Sequence, residues 1–372
     1  MSLHQLIRPV VRSRISTTTT TTTIPATASS SCRLPSRRNY AMQTPGNPVM
    51  EIFNRRAKHL QKERAAQNVD ESRKTDYLKD EVAMRLCERL LDIKRTFPQV
   101  LDLGANSCNI ARALTTPLPD ETSATGTAEP LADRISHLTC IDTSAALLNR
   151  DLALPFNSSS SLPITRQVVP DLETLPYAAN SFDAVLSSLS IHWINDLPSL
   201  LAQVNKILKP DAPFIAAMFG GDTLFELRTS LQLADLERRG GVSPHVSPLA
   251  DVRDVGGLLN KAGFKMLTVD VEDIVVEFPD TFALMRDLQA MGEGNAILHR
   301  EMAPLSREVL LANEAIYRAL HMEDGARGVP ATFRLIYMIG WKEGEGQAKP
   351  LERGSGQLNL KDILGGGDFE QK

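Results

Sequence analysis

Residues 100–113 of the 372-residue chain read VLDLGANSCNIARA, and this stretch decides the fold. The apolar run at 100–103 predicts a short buried strand. Small and polar residues at 104–108 are typical of a tight turn, and the apolar spacing at 109–114 predicts a helix. A strand, turn and helix in this order direct free backbone N–H groups and the helix dipole at a bound nucleotide. An ordinary βα turn explains the same residues equally well.

Six further apolar runs of strand length follow this unit. They cover residues 137–141, 164–169, 184–188, 213–219, 265–271 and 332–341. Helical patterns lie between or beside them at 197–208, 224–238, 252–262, 279–291 and 306–321. Strands that alternate with helices, each strand nearly all apolar, predict an α/β fold with a parallel sheet covered on both faces.

Acidic residues follow three of the predicted strands. An acid that binds ribose hydroxyls is expected roughly 20 residues after the first acid. The separation between Asp102 and Asp142 is about twice that. The Thr-, Pro- and Ala-rich insertion at 115–133 accounts for the excess, so we predict that Asp142 binds a ribose. Asp171 would accept from an adenine amino group, with Leu172 against the ring. A turn-forming aspartate is the alternative for Asp171.

Charge separates the first 50 residues from the rest. They hold six arginines and no Asp or Glu, which leaves 35 Lys and Arg against 45 Asp and Glu in the remainder. Because that remainder is acidic, we expect no nucleic-acid partner. The four cysteines form no C-x-x-C pair, which supports neither a disulfide framework nor a zinc cluster. The longest apolar run, at 212–219, is far shorter than the ~20 residues of a transmembrane segment.

Residues 1–40 have the composition of a mitochondrial transit peptide, because they are basic, acid-free and rich in Ser and Thr. Apolar residues at positions 3, 6, 7, 10 and 11 would line one face of a helix. The segment RNYA at 38–41 resembles a matrix-protease site. We therefore predict import into the matrix and a mature chain that begins near Ala41.

The remaining chain divides into three parts. Residues 41–94 contain a basic helix at 51–66 and a second helix at 77–91. A basic helix usually presents a solvated face, which we expect here, with a lid over the ligand site as the alternative. Residues 95–343 hold the sheet domain with a helical insertion at about 279–322, and residues 344–372 form a Gly-rich, polar tail that we expect to be flexible.

An ordered set of motifs resembles the class I S-adenosylmethionine-dependent methyltransferases. The set is LDLG at 101–104, an acid after the next strand, NSFDAVLSSLSIHW at 180–193 and LKPD at 208–211. More specific strings are AMFGGDTLFELR at 217–228, SPHVSP at 243–248 and DLQAMGE at 287–293. These are similar to the mitochondrial methyltransferase-like family of complex I assembly factors, described as arginine hydroxylases. Bacterial malonyl-carrier-protein methyltransferases share fewer of them.

The resemblance implies a seven-stranded, mostly parallel sheet with an antiparallel last strand at 332–341 and added helices. It implies S-adenosylmethionine as cofactor and a matrix-facing complex I subunit as partner, with the protein in the matrix or peripheral to the inner membrane. The residues predicted to bind the cofactor are Asp102, Gly104, Asn106, Asp142, Asp171, Leu172 and Ser187.

The turn departs from the family's Gly-x-Gly-x-Gly pattern. Asn106 stands at the second glycine position, and Asn is the best non-Gly residue for a left-handed conformation. Cys108 stands at the third, where we expect its side chain to intrude on the ligand and weaken binding.

The predicted catalytic residues are His192, Asp222 and Glu226, with Trp193 beside His192 as part of the substrate surface. A carboxylate at Asp222 would bind a substrate guanidinium, although a helix N-cap explains it as well. A packed, buried histidine is the alternative for His192. His299, Glu301 and His321 have the composition of a non-haem iron site but lie away from the strand ends, so we predict no metal.

Three classes of function remain open. The first is an enzyme that hydroxylates an arginine of a complex I subunit, which rests wholly on the resemblance. The second is a methyltransferase acting on a small acid or a carrier protein. The third is a non-catalytic assembly chaperone with a decayed cofactor fold.

Overall fold

The computed structural model describes residues 51–116, 131–158, 162–298 and 304–347, together with the backbone of Ile7–Pro9. Its centre is one mixed sheet with the strand order β1-β7-β8-β6-β5-β2-β3-β4. The strands are β1 (Ile7–Pro9), β2 (Phe97–Leu103), β3 (Ile135–Asp142), β4 (Ile164–Val168), β5 (Ala184–Ser188), β6 (Pro213–Phe219), β7 (Phe264–Phe278) and β8 (Val329–Lys342).

The sheet has the topology that the sequence predicted. Strands β2 to β6 pair in parallel, and the last strand, β8, pairs antiparallel with both β6 and β7. The prediction of a mostly parallel seven-stranded sheet with an antiparallel last strand is therefore confirmed. Because parallel strands end at one edge, the segments after β2, β3, β4 and β5 meet there.

The eighth strand, β1, lies in the predicted transit peptide. It pairs antiparallel with β7, so the helix predicted there is wrong for Ile7–Pro9. The outer edge of β7 offers unpaired backbone groups, which an extended segment satisfies. The RNYA segment, most of the 115–133 insertion and the tail beyond residue 347 lie outside the described residues.

Ten helices are present in the described ranges. They are α1 (Arg55–Gln67), α2 (Val69–Lys74), α3 (Tyr77–Leu91), α4 (Asn109–Thr115), α5 (Ala145–Leu148), α6 (Leu197–Ile207), α7 (Phe225–Arg239), α8 (Val252–Lys261), α9 (Thr281–Ala290) and α10 (Arg307–His321). Side chains from α3, α4, α7, α9 and α10 pack in one apolar core, and those from α6 and α8 in another. Both faces of the sheet are thus covered. None of the helices in this part of the chain is long and apolar enough to cross a bilayer.

Local sequence explains where these helices begin and which face they bury. In α6, the Asp196 side chain accepts from Ser199 N, and Pro198 occupies the first turn, where its missing N–H costs nothing. Leu200, Leu201, Val204 and Ile207 form the buried stripe. The helix therefore packs on the sheet and leaves its N-terminal end beside the segment that follows β5.

Helix α1 packs over the carboxyl edge of the sheet, and two of its lysines are buried. Lys58 and Lys62 are 7% and 4% exposed, and Lys58 Nζ donates to the carbonyl oxygens of Gly292 and Gly294. One face of the helix is solvated as expected, with residues 55, 56, 60, 64 and 67 exposed, whereas Lys58 and Lys62, four residues apart, point inward along the other side. Their amines contact buried carbonyl and carboxylate oxygens.

Candidate functional site at the carboxyl edge of the sheet

A cavity of about 500 Å³ opens between α1 and the carboxyl ends of β3, β4 and β5; we call it the α1 cavity. It is lined by Arg55, Arg56, Lys58, His59, Lys62, Thr143, Val168, Val169, Pro170, Asp171, Leu172, Glu173, Ser190, Trp193 and Ile194. This is the position at which open α/β sheets bind ligands. Helix α1 contributes five basic side chains to the lining of this cavity.

Asp142 lies at the end of β3, where the sequence placed the ribose acid. Its carboxylate is fully buried and lies 2.9 Å from Lys62 Nζ. It also accepts from Asn106 N at 3.1 Å and Ser144 N at 3.0 Å. Helix α1 therefore supplies a cation to the carboxylate that the sequence assigned to the ribose.

Asp171 and Leu172, which the sequence assigned to the adenine, both line the α1 cavity. One Asp171 oxygen accepts from Glu173 N at 2.8 Å, which is the turn role given above as the alternative. The other lies 2.9 Å from Arg55 Nη1. Two cations of helix α1, Lys62 and Arg55, thus contact two of the three predicted acids, Asp142 and Asp171.

Gly104 and Asn106 adopt the conformations that the turn requires. Gly104 has φ +73°, and a Cβ there would lie 1.9 Å from Ser190 Oγ, so no side chain fits. Asn106 has φ 50°, which confirms the left-handed prediction. Its Nδ2 donates to Ser188 O at 3.2 Å, while Asn106 Oδ1 and Ser188 Oγ have no hydrogen-bond partner within the described residues.

Cys108 does not intrude on the cavity. It has φ 61° and is fully buried, with Sγ 3.8 Å from Leu148 O. The expectation that its side chain lies against the ligand is wrong, because the left-handed turn directs that side chain into the core behind the turn.

Asp102 and Ser187 face the protein and not the α1 cavity. Asp102 is fully buried, with Oδ2 3.9 Å from Cys140 Sγ, and burial raises its pKa well above the usual value. Ser187 Oγ donates to Leu103 O at 2.7 Å. The neighbouring Ser188 carries the unpartnered hydroxyl, because successive residues of a strand point to opposite faces.

His192 and Trp193 form a turn after β5 and share a partner, Glu293, in the loop after α9. Trp193 Nε1 donates to Glu293 Oε2 at 2.7 Å, and His192 Nε2 lies 3.4 Å from the same oxygen. Lys79 Nζ lies 3.8 Å from Glu293 Oε1, and Lys58 Nζ lies 3.3 Å from the centre of the Trp193 ring. These contacts join the turn after β5 to the loop after α9, to α3 through Lys79 and to α1 through Lys58.

The electrostatics of this cluster favour an ionised Glu293 beside a neutral His192. Burial alone would raise the pKa of Glu293, but the hydrogen bond from His192 and the charges of Lys58 and Lys79 outweigh it and hold that pKa well below its usual range. Burial lowers the pKa of His192 despite the carboxylate. A neutral imidazole that donates through Nε2 leaves Nδ1 as an acceptor.

Two more cavities meet at this turn. An apolar cavity of about 510 Å³ lies between the turn and α8, and a small cavity of about 80 Å³ lies on the Glu293 side. His192 lines both of them, whereas Trp193 lines the small cavity and the α1 cavity. The turn therefore lies between the α1 cavity, which has the position expected of a ligand site, and the two other cavities.

Asp222 and Glu226 do not join His192. Asp222 is exposed and pairs with Arg334, which also binds Asp273 at 2.8 Å. Glu226 is buried and accepts from Thr332 N at 3.3 Å. Neither residue lines any of the three cavities described above. The predicted four-residue substrate surface is not formed, because both carboxylates bind residues of β8 instead.

The residues whose composition matches an iron site, His299, Glu301 and His321, are not brought together in the described ranges. His299 and Glu301 lie outside those ranges, and His321 contacts the rings of Phe225 and Tyr317. In the portion of the chain that the structure describes, no three His, Cys, Asp or Glu side chains are arranged to hold a metal ion.

Sequence reasoning missed Lys62 and Glu293. Glu293 closes the string DLQAMGE, which carried part of the resemblance without any role being given to it. Lys62 lies four residues after Lys58 in the basic helix, a spacing that places both on one side. That spacing was the available signal for an inward-facing pair.

Comparison with known proteins identifies the relatives. A family model described as "Methyltransferase domain" matches residues 123–216. The chain is 46% identical over 315 residues to "Arginine-hydroxylase NDUFAF5, mitochondrial" of Danio rerio, which covers 84% of this chain and 90% of that protein. The Homo sapiens protein of the same name is 46% identical over 316 residues, or 85% of this chain and 84% of that protein. Both names confirm the predicted mitochondrial location.

More distant matches carry methyltransferase names. "Malonyl-[acyl-carrier protein] O-methyltransferase" of Laribacter hongkongensis is 31% identical over 281 residues, or 74% of this chain and 86% of that protein. A solved structure of Haemonchus contortus phosphoethanolamine N-methyltransferase 2 with S-adenosyl-L-methionine is 14% identical, with a TM-score of 0.43, and covers 75% of this chain and 57% of that chain. By its identity to the Danio rerio and Homo sapiens proteins over most of both lengths, the chain belongs to the mitochondrial arginine-hydroxylase NDUFAF5 family.

Proposed function

We propose that this protein is a complex I assembly factor of the mitochondrial matrix that hydroxylates an arginine of a matrix-facing subunit. The relatives at 46% identity are named arginine hydroxylases. The observation that carries the proposal is the meeting of the α1 cavity with two further cavities at the turn formed by His192 and Trp193. A cofactor-sized site therefore adjoins separate space for a substrate side chain.

We further propose that the α1 cavity binds S-adenosylmethionine. Asp142 would accept from the ribose hydroxyls, and Asp171 with Leu172 would contact the adenine. The buried Asn106 Oδ1 and Ser188 Oγ, which lack partners among the described residues, match the ammonium group of the amino-acid end. Asp142, Asn106 and Ser188 do not line the α1 cavity, so the residues fit this group only once Lys62 moves away from Asp142 and opens the cavity to them.

Hydroxylation and methyl transfer make different demands. Hydroxylation inserts one oxygen atom into a C–H bond and therefore needs an oxidant such as dioxygen with two reducing equivalents. S-adenosylmethionine supplies a methyl cation and no oxidising equivalent of that kind. The cofactor proposal and the hydroxylase proposal are therefore tested separately.

Mass spectrometry of complex I subunits tests the proposed reaction. In cells that lack the protein, one arginine of a complex I subunit should be lighter by the mass of one oxygen atom. Expression of the wild-type chain should restore that mass. An arginine unchanged in both cell lines would overturn the hydroxylase proposal. A subunit that lacks the modification in rescued cells, with assembly restored, would favour a non-catalytic chaperone.

A second candidate function is methyl transfer to a small acid or a carrier protein. It is favoured by the methyltransferase-domain match and by the 31% identity to a malonyl-carrier-protein methyltransferase. Purified protein with S-adenosylmethionine and malonyl carrier protein would then release S-adenosylhomocysteine. No turnover above the level of a heat-inactivated sample would remove this candidate.

A further inference from the structure

The apolar cavity of about 510 Å³ is walled by three segments that are far apart in the sequence. Ile52 precedes α1, Ile194 and Leu197 lie between β5 and the first turn of α6, and Leu249 and Leu258 belong to the loop before α8 and to α8 itself. All five keep part of their surface exposed, so the wall that a ligand would meet is apolar. The volume is that of a site for a ligand larger than one side chain.

Hydrogen bonds hold two of these segments in place. Asn195 Oδ1 accepts from Ile52 N and from Phe53 N, both at 2.8 Å, and Asn195 Nδ2 donates to Phe53 O at 3.2 Å. Gly221 N donates to Ala250 O at 3.0 Å, which ties the loop before α8 to the segment after β6. The walls of the cavity are therefore preformed, and a ligand would bind with little ordering of the protein.

The apolar cavity adjoins the α1 cavity. Ile194 lines both of them, so the two spaces lie on either side of one residue. The α1 cavity is the space proposed for the cofactor, and the reacting side chain of a substrate must come close to it. An extended peptide advances roughly 3.3 Å per residue. The residues next to a reacting arginine would therefore reach the apolar cavity.

Helix α8 gives the edge of the apolar cavity a positive surplus. Arg253, Asp254 and Lys261 line the cavity, and all three are exposed. Neither Arg253 nor Lys261 forms an ion pair with a residue that the structure describes. They lie eight residues apart, or about 12 Å, along one side of the helix, with Gly257 between them. Two cations against one carboxylate favour an anionic group on the ligand, by a modest amount because exposed charges are screened.

We propose that the apolar cavity is the docking site for the segment of the complex I subunit that flanks the modified arginine, and that this segment carries an apolar residue next to an acidic one. The apolar side chain would pack between Ile194 and Leu258, and the acidic one would contact Arg253 or Lys261. This inference rests on the proposed arginine substrate. The position beside the proposed cofactor site favours a peptide over a lipid, because only the peptide is attached to a reacting arginine.

Two glycines of α8 provide a matched pair of variants. Gly257 lines the apolar cavity, whereas Gly256 does not. A Cβ added at either position meets nothing within 4 Å, so Gly257→Phe and Gly256→Phe should both fold, which melting temperatures check. We expect Gly257→Phe to slow arginine modification in rescued cells by roughly tenfold or more, the factor given by losing the burial of one apolar side chain. Gly256→Phe should modify at the wild-type rate. Wild-type rates in both variants would overturn the proposal.

Two exposed lysines test the charge of the segment without altering the apolar wall. Lys261 lines the cavity, whereas Lys265 on β7 does not. Lys261→Glu should slow modification by roughly two- to fivefold, as expected for an exposed charge contact that is reversed. Lys265→Glu makes the same change of charge and should have no effect. Equal rates in the two variants would contradict an acidic residue in the segment.

A photo-crosslinker identifies the occupant. p-Benzoylphenylalanine in place of Asp254, which lines the cavity, should join on irradiation to the subunit that carries the modified arginine, within about five residues of that arginine. The same group in place of Asn260, which is exposed on α8 and does not line the cavity, should give no such product. An adduct with a phospholipid or with a second copy of this chain, or no adduct with that subunit, would overturn the proposal.

The outcomes separate this inference from the proposed function. If wild-type cells show no modified arginine, the proposed function fails. If the arginine is modified in wild-type cells and at the same rate with Gly257→Phe, only the docking site fails.

Discussion

Lys62 Nζ lies 2.9 Å from Asp142 Oδ2, and the two side chains are 4% and 0% exposed. The pair joins helix α1 to the end of β3, at the carboxylate that the sequence assigned to a ribose. A ligand with ribose hydroxyls must therefore compete with a buried ammonium group. The position of Lys62, and with it of helix α1, would therefore affect binding of the proposed cofactor at Asp142.

Lys62→Met should weaken the fold and strengthen cofactor binding. Removing one partner of a buried ion pair costs roughly 3–5 kcal/mol, because the other charge stays buried without compensation. S-adenosylmethionine would then meet a free carboxylate, so we expect its Kd to fall by roughly tenfold or more. Thermal melting and calorimetric titration measure the two effects.

Lys74→Met is the matched control, since Lys74 pairs with Glu71 on the surface of α2 and is 70% exposed. It should change neither quantity appreciably. Weaker cofactor binding in Lys62→Met than in the wild type would mean that Lys62 belongs to the binding site and does not compete for Asp142.

Stability should fall as the pH falls, first through His192 and then through Glu293. The folded-state pKa of His192 is lowered, so the unfolded chain binds more protons below its ordinary value of 6.5, and the free energy of unfolding decreases there. The pKa of Glu293 is also lowered in the folded state, which adds stability above its ordinary value of 4.5 that is lost at lower pH.

Urea unfolding at pH 7, 6 and 5 checks the first step. His192→Phe should reduce the loss of stability between pH 7 and 5, whereas His137→Phe, at a partly exposed position on β3, serves as the control. An identical pH dependence in His192→Phe and the wild type would contradict the buried neutral imidazole.

Asp222→Asn should leave arginine modification intact. The carboxylate is exposed and pairs with Arg334 on the sheet surface, and such pairs contribute roughly 0–1 kcal/mol. Melting temperature and the modified fraction of the complex I subunit should both stay near wild-type values. Loss of modification at an unchanged melting temperature would restore Asp222 to the substrate site.

A chain that begins at Ala41 should fold as the full chain does. The contact it loses within the described residues is the three-residue backbone pairing of β1 with the outer edge of β7. N-terminal sequencing of the organellar protein should find a start near Ala41. An intact Met1 on the imported protein would refute the transit peptide.

The carboxyl-edge acids and the β2–turn–α4 unit could be predicted because short-range patterns encode them. Alternating apolar runs and helices determine a doubly wound sheet, and strand direction then places Asp142, Asp171 and the Gly104 turn at one edge. The full length of β7 could not be predicted in the same way. Its second half, which includes Glu272, Asp273 and Glu277, mixes acids with apolar residues and lacks the continuous apolar pattern of a buried strand.

Side-chain direction decided the local details of the site. Ser187 and Ser188 are adjacent residues of the same type. The Ser187 hydroxyl donates to Leu103 O, whereas the Ser188 hydroxyl has no partner in the described region. Cys108 was expected at the ligand, and its left-handed backbone instead turns the thiol into the core. Such differences depend on torsion angles that residue type alone does not define.

The sequence by itself determined the fold, because apolar periodicity encodes the strands and helices, and it indicated the family through the resemblance of its short motifs. Only the tertiary structure decided what surrounds the carboxyl edge of the sheet. Lys62 and Asp142 are 80 residues apart, and His192 and Glu293 are 101 apart. Their pairing depends on how α1 and the loop after α9 pack over the sheet, since a buried charge acquires its partner from whichever segments fold against it.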